Sequence, residues 1–92
     1  MNKAELIAGI AENSGLTKKD AESSLNAFME VVQEALSEEE KVQLVGFGTF
    51  EVRHRKAREG RNPRNPEEVI QIPASKAPVF RAGKSLKEAV NK

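Results

Sequence analysis

From Arg53 to Ser75 the chain offers a folding core almost nothing to bury: twenty-three residues dominated by charged, polar and turn-forming side chains. In a chain of 92 residues that leaves 69 for a packed body. A body below roughly 70–80 residues, without disulfide or metal, ordinarily draws stability from elsewhere, most often from a second chain. Cysteine is absent, so disulfides and thiolate metal sites are excluded.

The overall charge conceals what this segment does. Fifteen basic and fourteen acidic residues give a net charge of only +1. Residues 1–40 carry three cations and nine anions, whereas residues 41–92 carry twelve cations and five anions. Between Arg53 and Arg64 six cations (Arg53, Arg55, Lys56, Arg58, Arg61 and Arg64) face one acid, Glu59. Charge packed this densely outside a core is best matched by a polyanion. No apolar run approaches the roughly 18 residues of a membrane span, and the start lacks a signal-peptide core. The expectation is an untargeted, soluble, intracellular single domain with no membrane partner.

The periodicity predicts a first helix over Lys3–Asn13, with Leu6, Ile7 and Ile10 at helical spacing and Gly15 as its left-handed stop. Thr17 opens a second helix, with Asp20 three residues on in a variant capping box. Ala21, Leu25, Phe28, Met29, Val32 and Leu36 form its apolar stripe, and Glu38-Glu39-Glu40 should end it. Lys41–Val45 alternates as a strand, Gly46 and Gly48 bracket a turn, and Thr49 resumes as a strand with Phe50 and Val52 inward. Gly60, Asn62, Pro63, Asn65 and Pro66 read as a turn region, and Val69, Ile70 and Ile72 as a returning strand. Pro73 and Pro78 suit edges or bends. Lys76–Phe80 is a third body strand, and Gly83 or Ser85 opens a short last helix through Val90.

Phe47, Phe50 and Phe80 are the only aromatic residues outside the helical stripe. They suit an ordinary core, but they exceed what a flat three-stranded sheet hides alone, which favours a core shared between two subunits. If extended, the ten residues Arg53–Asn62 reach about 33 Å at most. A two-stranded ribbon of that size needs a partner for stability. It fits a groove of DNA, and arginine suits a narrow one. Pro63 is rigid, apolar and has no N–H to desolvate. It reads either as a simple turn former or, given the cations leading to it, as a wedge between base pairs.

Gly46-Phe47-Gly48-Thr49-Phe50, followed by Arg55, Arg58, Gly60, Arg61, Asn62 and Pro63 at these spacings, closely resembles the HU/IHF family of bacterial DNA-bending proteins. The resemblance covers the whole chain, including the Met-Asn-Lys start, Ile72-Pro73-Ala74-Ser75-Lys76 and Gly83-Lys84. It implies an α+β fold and an intertwined homodimer, or a heterodimer with a related chain. Each subunit would have a helical base, a three-stranded antiparallel sheet and an extended β-ribbon arm. Residues 1–52 and 76–92 would form the dimerisation body, with Phe47, Phe50 and Phe80 in its core, and residues 53–75 the DNA-binding arm. The implied contacts are Arg53, Arg55, Lys56, Arg58, Arg61, Asn62, Pro63 and Arg64 on the arm, and Lys3, Lys76, Arg81 and Lys84 on the body. Pro63 would intercalate and kink the duplex from the minor groove. The implied role is bending and compacting DNA with low sequence specificity, in the cytoplasm and on the nucleoid. One departure stands out: after Asn62-Pro63-x the family usually shows Thr then Gly, where this chain has Asn65-Pro66. That change predicts a stiffer, differently shaped tip with the wedge kept.

Other motifs fail on inspection. Gly83-Lys84-Ser85 resembles the end of a phosphate-binding loop, but the earlier glycine it needs is Pro78. The third glycine after Gly46-x-Gly48 is replaced by Glu51. His54, the only histidine, reads as a bystander in the arm with no second ligand for a metal. No nucleophile–base–orienter set assembles around it, so neither enzyme activity nor a cofactor is expected. The rival to duplex binding is a basic arm for RNA or acidic proteins. The lack of aromatic platforms in the arm makes RNA secondary.

Overall fold

The computed structural model describes all 92 residues, Met1 to Lys92. Helix α1 spans Lys3–Ser14, one residue longer than predicted. Asn2 accepts the Glu5 N–H at 2.9 Å to cap its start, and Gly15 closes it at φ 77°, a left-handed corner that costs glycine little. Helix α2, Lys18–Ser37, begins as expected on Thr17, whose Oγ1 accepts the Asp20 N–H at 3.1 Å. It stops before the three glutamates, and Glu39 turns the chain at φ 60°. Then come β1 (Val42–Leu44), β2 (Gly48–Arg55), β3 (Arg58–Asn62), β4 (Asn65–Ile72), β5 (Ser75–Ala82) and helix α3 (Lys84–Val90). This is the expected α+β class.

The strands form two separate sheets. One is antiparallel in the order β1-β2-β5, and the other is the β3-β4 ribbon. The β2–β5 ladder pairs every residue from Gly48 opposite Ala82 to Arg55 opposite Ser75. Pro78, opposite Val52, sits on an edge strand, where its missing N–H leaves no gap between strands. Phe50 lies opposite Phe80, and both turn toward α2, because Phe28 on that helix meets Phe50 edge-on at 6.2 Å. The Phe50 and Phe80 ring centroids are 4.8 Å apart and those of Phe47 and Phe80 5.6 Å, so all four phenylalanines join in one chain of contacts.

Within a single chain that cluster is left open. Only four of 92 residues are buried, among them Ile7, Ala21 and Val32. Phe28 remains 41% exposed, Phe47 49% and Phe80 40%. Met29 and Val31 on α2 are exposed as well. The stripe on α2 is therefore half used, and the aromatic face of the sheet is covered on one side only.

The arm tip differs from the sequence reading. The reversal takes only the two residues Pro63 and Arg64, not the whole Gly60–Pro66 region. Gly60 belongs to β3, and β4 begins at Asn65 rather than Val69. The cause lies in Asn62, whose Oδ1 accepts the Arg64 N–H at 2.9 Å and closes the corner by a side-chain bond. The register then shifts: Asn62 stands opposite Asn65 but Arg61 opposite Val69, so Pro66, Glu67 and Glu68 have no ladder partners on β3. A proline in a strand is tolerated at such an irregularity.

Gly48 is the tightest point of the body. A Cβ there would collide with the Phe80 ring and lie 2.7 Å from the Arg81 carbonyl oxygen. The Phe80 ring thus packs directly over the Gly48 backbone. Gly48→Ala is expected to destabilise the fold by about 1–3 kcal/mol, the usual range for overpacking. Denaturant unfolding at fixed protein concentration measures this, and an unchanged midpoint would contradict the packing.

Candidate nucleic-acid interface

Strand alternation separates the cations of β2 from its core residues. Phe50, Val52 and His54 share the face toward α2, so Arg53 and Arg55 share the outer face with Glu51. The β5 residues opposite them, Ala77 and Ser75, are small and leave the two arginines uncrowded. Beyond Arg55 the chain passes through Lys56 and Ala57 into the ribbon. A cleft of about 400 Å³ opens there, lined by Arg55, Lys56, Arg58, Ile72, Pro73 and Ser75. A second cleft at the same root is lined by His54, Arg55, Lys56, Ala74, Ser75 and Lys76. Arg55 and Lys56 border both, so positive charge converges where the body meets the arm. An anionic oxygen in either cleft would meet several donors at once.

Further out the side chains are committed to one another. The Arg61 Nη1 donates to the Pro66 carbonyl at 2.9 Å. Asn62 donates from Nδ2 to Glu68 Oε2 at 3.0 Å while its Oδ1 holds the Arg64 N–H. Arg61 and Asn62 therefore shape the tip through intramolecular bonds. Pro63 and Arg64 occupy the exposed corner, with the proline ring free of packing.

Of the body cations, only Lys76 reaches the arm root, where it lines the second cleft with Arg55 and Lys56. Arg81 Nε lies 2.7 Å from Glu51 Oε1, and Lys41 Nζ lies 3.8 Å from the other carboxylate oxygen. Lys76 stands opposite His54 on the helical face, and both approach Glu39: Lys76 Nζ at 3.6 Å and His54 Nε2 at 2.5 Å. His54 is thus no bystander in the arm, since it connects β2 to the turn after α2. Lys3 opens α1 and Lys84 opens α3, both exposed. Lys84 is set beside the β1–β2 turn because the Gly83 N–H donates to the Phe47 carbonyl at 2.7 Å. The ties from Glu39, Glu51 and Glu68 join residues far apart in sequence, and no spacing rule announces them. The left-handed turn at Glu39, which aims its carboxylate at β2, has no signature either, because glutamate seldom takes that conformation.

A helical pair packed on a three-stranded sheet, with a ribbon of basic root projecting from it, defines a small α+β scaffold built to present charge. The family model described as bacterial DNA-binding protein matches residues 1–91. The DNA-binding protein HU of Clostridium pasteurianum is 67% identical over 92 residues, covering 100% of both chains. The HU of Geobacillus stearothermophilus is 58% identical over 90 residues, covering 98% of this chain and 99% of its own. Among solved structures, an Anabaena HU–DNA cocrystal structure matches with a TM-score of 0.88 and 52% identity, over 98% of this chain and 97% of the other. HU from Thermotoga maritima matches with a TM-score of 0.68 and 38% identity, over 98% of each chain. The chain belongs to the bacterial DNA-binding protein family that includes HU.

If the clefts at the arm root take phosphates, binding to duplex DNA must fall with salt. With two arms and about half of their basic side chains engaged, the log–log slope is expected to be roughly −5. Replacing Arg55 and Arg58 together by Ala removes four cations from the two arms, and should weaken binding to all duplexes alike and make the slope shallower by up to roughly 3–4. Fluorescence anisotropy titrations across a salt series measure both effects. An unchanged slope in the double variant would move the contact surface elsewhere.

Proposed function

We propose that this protein acts as a dimeric architectural factor that grips duplex DNA between two ribbon arms, bending and compacting it with little sequence preference. The observation that carries this reading is the exposed Pro63 corner at the end of a ribbon whose root is ringed by Arg55, Lys56 and Arg58. Related HU has been crystallised with DNA. Phosphate-directed cations supply affinity without sequence information. A rigid apolar ring without an N–H can enter a base step, and the bend that follows lets both arms wrap more of the duplex. Recognition through width and deformability suits a protein with few free polar groups near the wedge. In this reading residues 53–75 form the arm, rooted in the body by the β2–β5 ladder. Arg53 extends the basic face inward. Arg64 flanks the wedge, Arg61 and Asn62 hold its shape, and Lys3, Lys76, Arg81 and Lys84 guide the duplex over the body. The site of action is the cytoplasm, on the nucleoid; no helix is long and apolar enough to cross a membrane.

The second half of the reading is the dimer. Residues 1–52 and 76–92 serve as the dimerisation body, with Phe47, Phe50 and Phe80 at its centre. Support comes from the aromatic face, which one chain leaves about half open at Phe28, Phe47 and Phe80. A second copy is the natural occupant, because two arms on one base can hold a duplex from both sides. A related chain with the same face would give a heterodimer.

Pro63→Ala tests the wedge. The variant is expected to bend linear duplexes less, while losing much less affinity for duplexes already nicked or kinked, where the few kcal/mol of unstacking are already spent. Fluorescence distance measurements or ring-closure rates read the bend, and equal bending by both proteins would remove Pro63 from the mechanism. The dimer has its own test. The melting midpoint should climb with protein concentration, as mass action requires when folding and association are coupled. Phe50→Ala should cost about 3–5 kcal/mol. A midpoint constant over two decades of concentration, with a monomer mass in sedimentation, would overturn the shared core.

A further inference from the structure

Carboxylates near the tip of an arm that approaches phosphates oppose binding, yet β4 carries two there, Glu67 and Glu68. Their surroundings differ. The Glu67 carboxylate makes no hydrogen bond or ion pair; its residue is tied only by its N–H, which donates to Asn65 Oδ1 at 3.4 Å. Glu68 instead reaches across the ribbon and accepts from Asn62 Nδ2 at 3.0 Å. The same Asn62 amide closes the corner on its other side, through the Arg64 N–H at 2.9 Å. Asn62 is therefore held from two directions, and the residue it immediately precedes is Pro63.

The backbone cannot supply this restraint. The register shift leaves Pro66, Glu67 and Glu68 without ladder partners, and Pro66 has no N–H to give. Side chains close the gap instead, with Arg61 Nη1 on the Pro66 carbonyl at 2.9 Å and Glu68 on Asn62. We propose that Glu68 is a positioning residue for the wedge: it anchors the Asn62 amide across the ribbon and so fixes the corner that presents Pro63 to a base step. The inference rests on the reading of Pro63 as a wedge. Glu68 would weaken electrostatic attraction to DNA in return for a corner that is already shaped before contact. Preorganisation of this kind matters most on continuous DNA, where the wedge must open the step, and least on DNA already opened.

Three single variants of the full-length protein separate shape from charge. Glu68→Ala, Glu68→Gln and Glu67→Ala each remove one negative charge per arm. All three should tighten binding to a nicked duplex by a similar factor, roughly two- to fivefold. Only Glu68→Ala also removes the acceptor, since the Gln amide oxygen still takes the Asn62 N–H. The ratio of affinity for nicked over continuous duplex is therefore expected to rise about three- to tenfold in Glu68→Ala, the scale of one lost hydrogen bond per arm. It should stay near the wild-type value in Glu68→Gln and Glu67→Ala. The fluorescence-measured bend of the continuous duplex should shrink in Glu68→Ala alone. Equal melting midpoints of the DNA-free proteins keep folding defects apart from the effect. Equal ratios in Glu68→Ala and Glu68→Gln, with wild-type bending intact, would overturn this proposal alone. A wild-type protein that binds continuous duplex without bending it would overturn both the proposal and the wedge reading beneath it.

Discussion

Everything in this molecule hangs on the eight residue pairs of the β2–β5 ladder. At one end, Gly48 gives up its side chain so that the Phe80 ring can lie over the backbone. In the middle, Phe50 and Phe80 face each other toward α2. At the far end the same two strands carry Arg53 and Arg55 out of the body, with their side chains on the other face. One continuous ladder thus packs an aromatic cluster and aims the arm. A slip of one residue would exchange the two faces, placing arginines against the helices and phenylalanines in water. The close fit of Phe80 over Gly48 and the apolar demand of Phe50 both resist that slip, so the core sets the direction of the charge.

The acidic residues gain meaning against this frame. Glu51 and Glu39 hold Arg81, Lys41, Lys76 and His54 in surface pairs, while Glu68 holds an amide at the tip. Exposed pairs of this kind contribute at most about 1 kcal/mol. Parting Lys76 from Glu39 would therefore cost little, whereas Glu51, only 18% exposed, is held by Arg81 and Lys41 together. Between encounters, the pairs keep a strongly cationic half from acting as an undirected adhesive surface.

Much of the fold was legible because its signals are local. The signals at Gly15 and Thr17 lie within three residues of the helices they bound, and alternation placed Phe50 and Val52 inward without knowledge of any partner strand. The basic run from Arg53 to Arg64 was legible as charged, core-poor chain for the same reason, and it runs from the end of β2 through β3 into the turn after it. What escaped the sequence was built from contacts across strands or from unusual backbone. Asn65-Pro66 looked like part of a turn, yet a side-chain bond from Asn62 closes the corner two residues early and lets Pro66 enter β4 at a register shift. The Glu39 turn, with its positive φ, brings a carboxylate to His54 and Lys76 across sequence gaps that no periodicity spans. The Phe28 contribution to the aromatic cluster was hidden because its position also serves the helical stripe.

The junction between the two sheets carries a mechanical consequence. No ladder pair crosses Lys56–Ala57 on one strand or Pro73–Ala74 on the other, so the last body pair is Arg55 with Ser75 and the first ribbon pair is Arg58 with Ile72. Flexing there separates no paired residues, whereas flexing within either sheet does. The junction is therefore the place where the arm could pivot as a lever with least loss of pairing, in a chain whose longest dimension is 60 Å. A lever that pivoted there would sweep a volume larger than its own and so widen the target offered to a partner. The charged root sits at the joint itself, so the first phosphates captured there would also lock the lever in place.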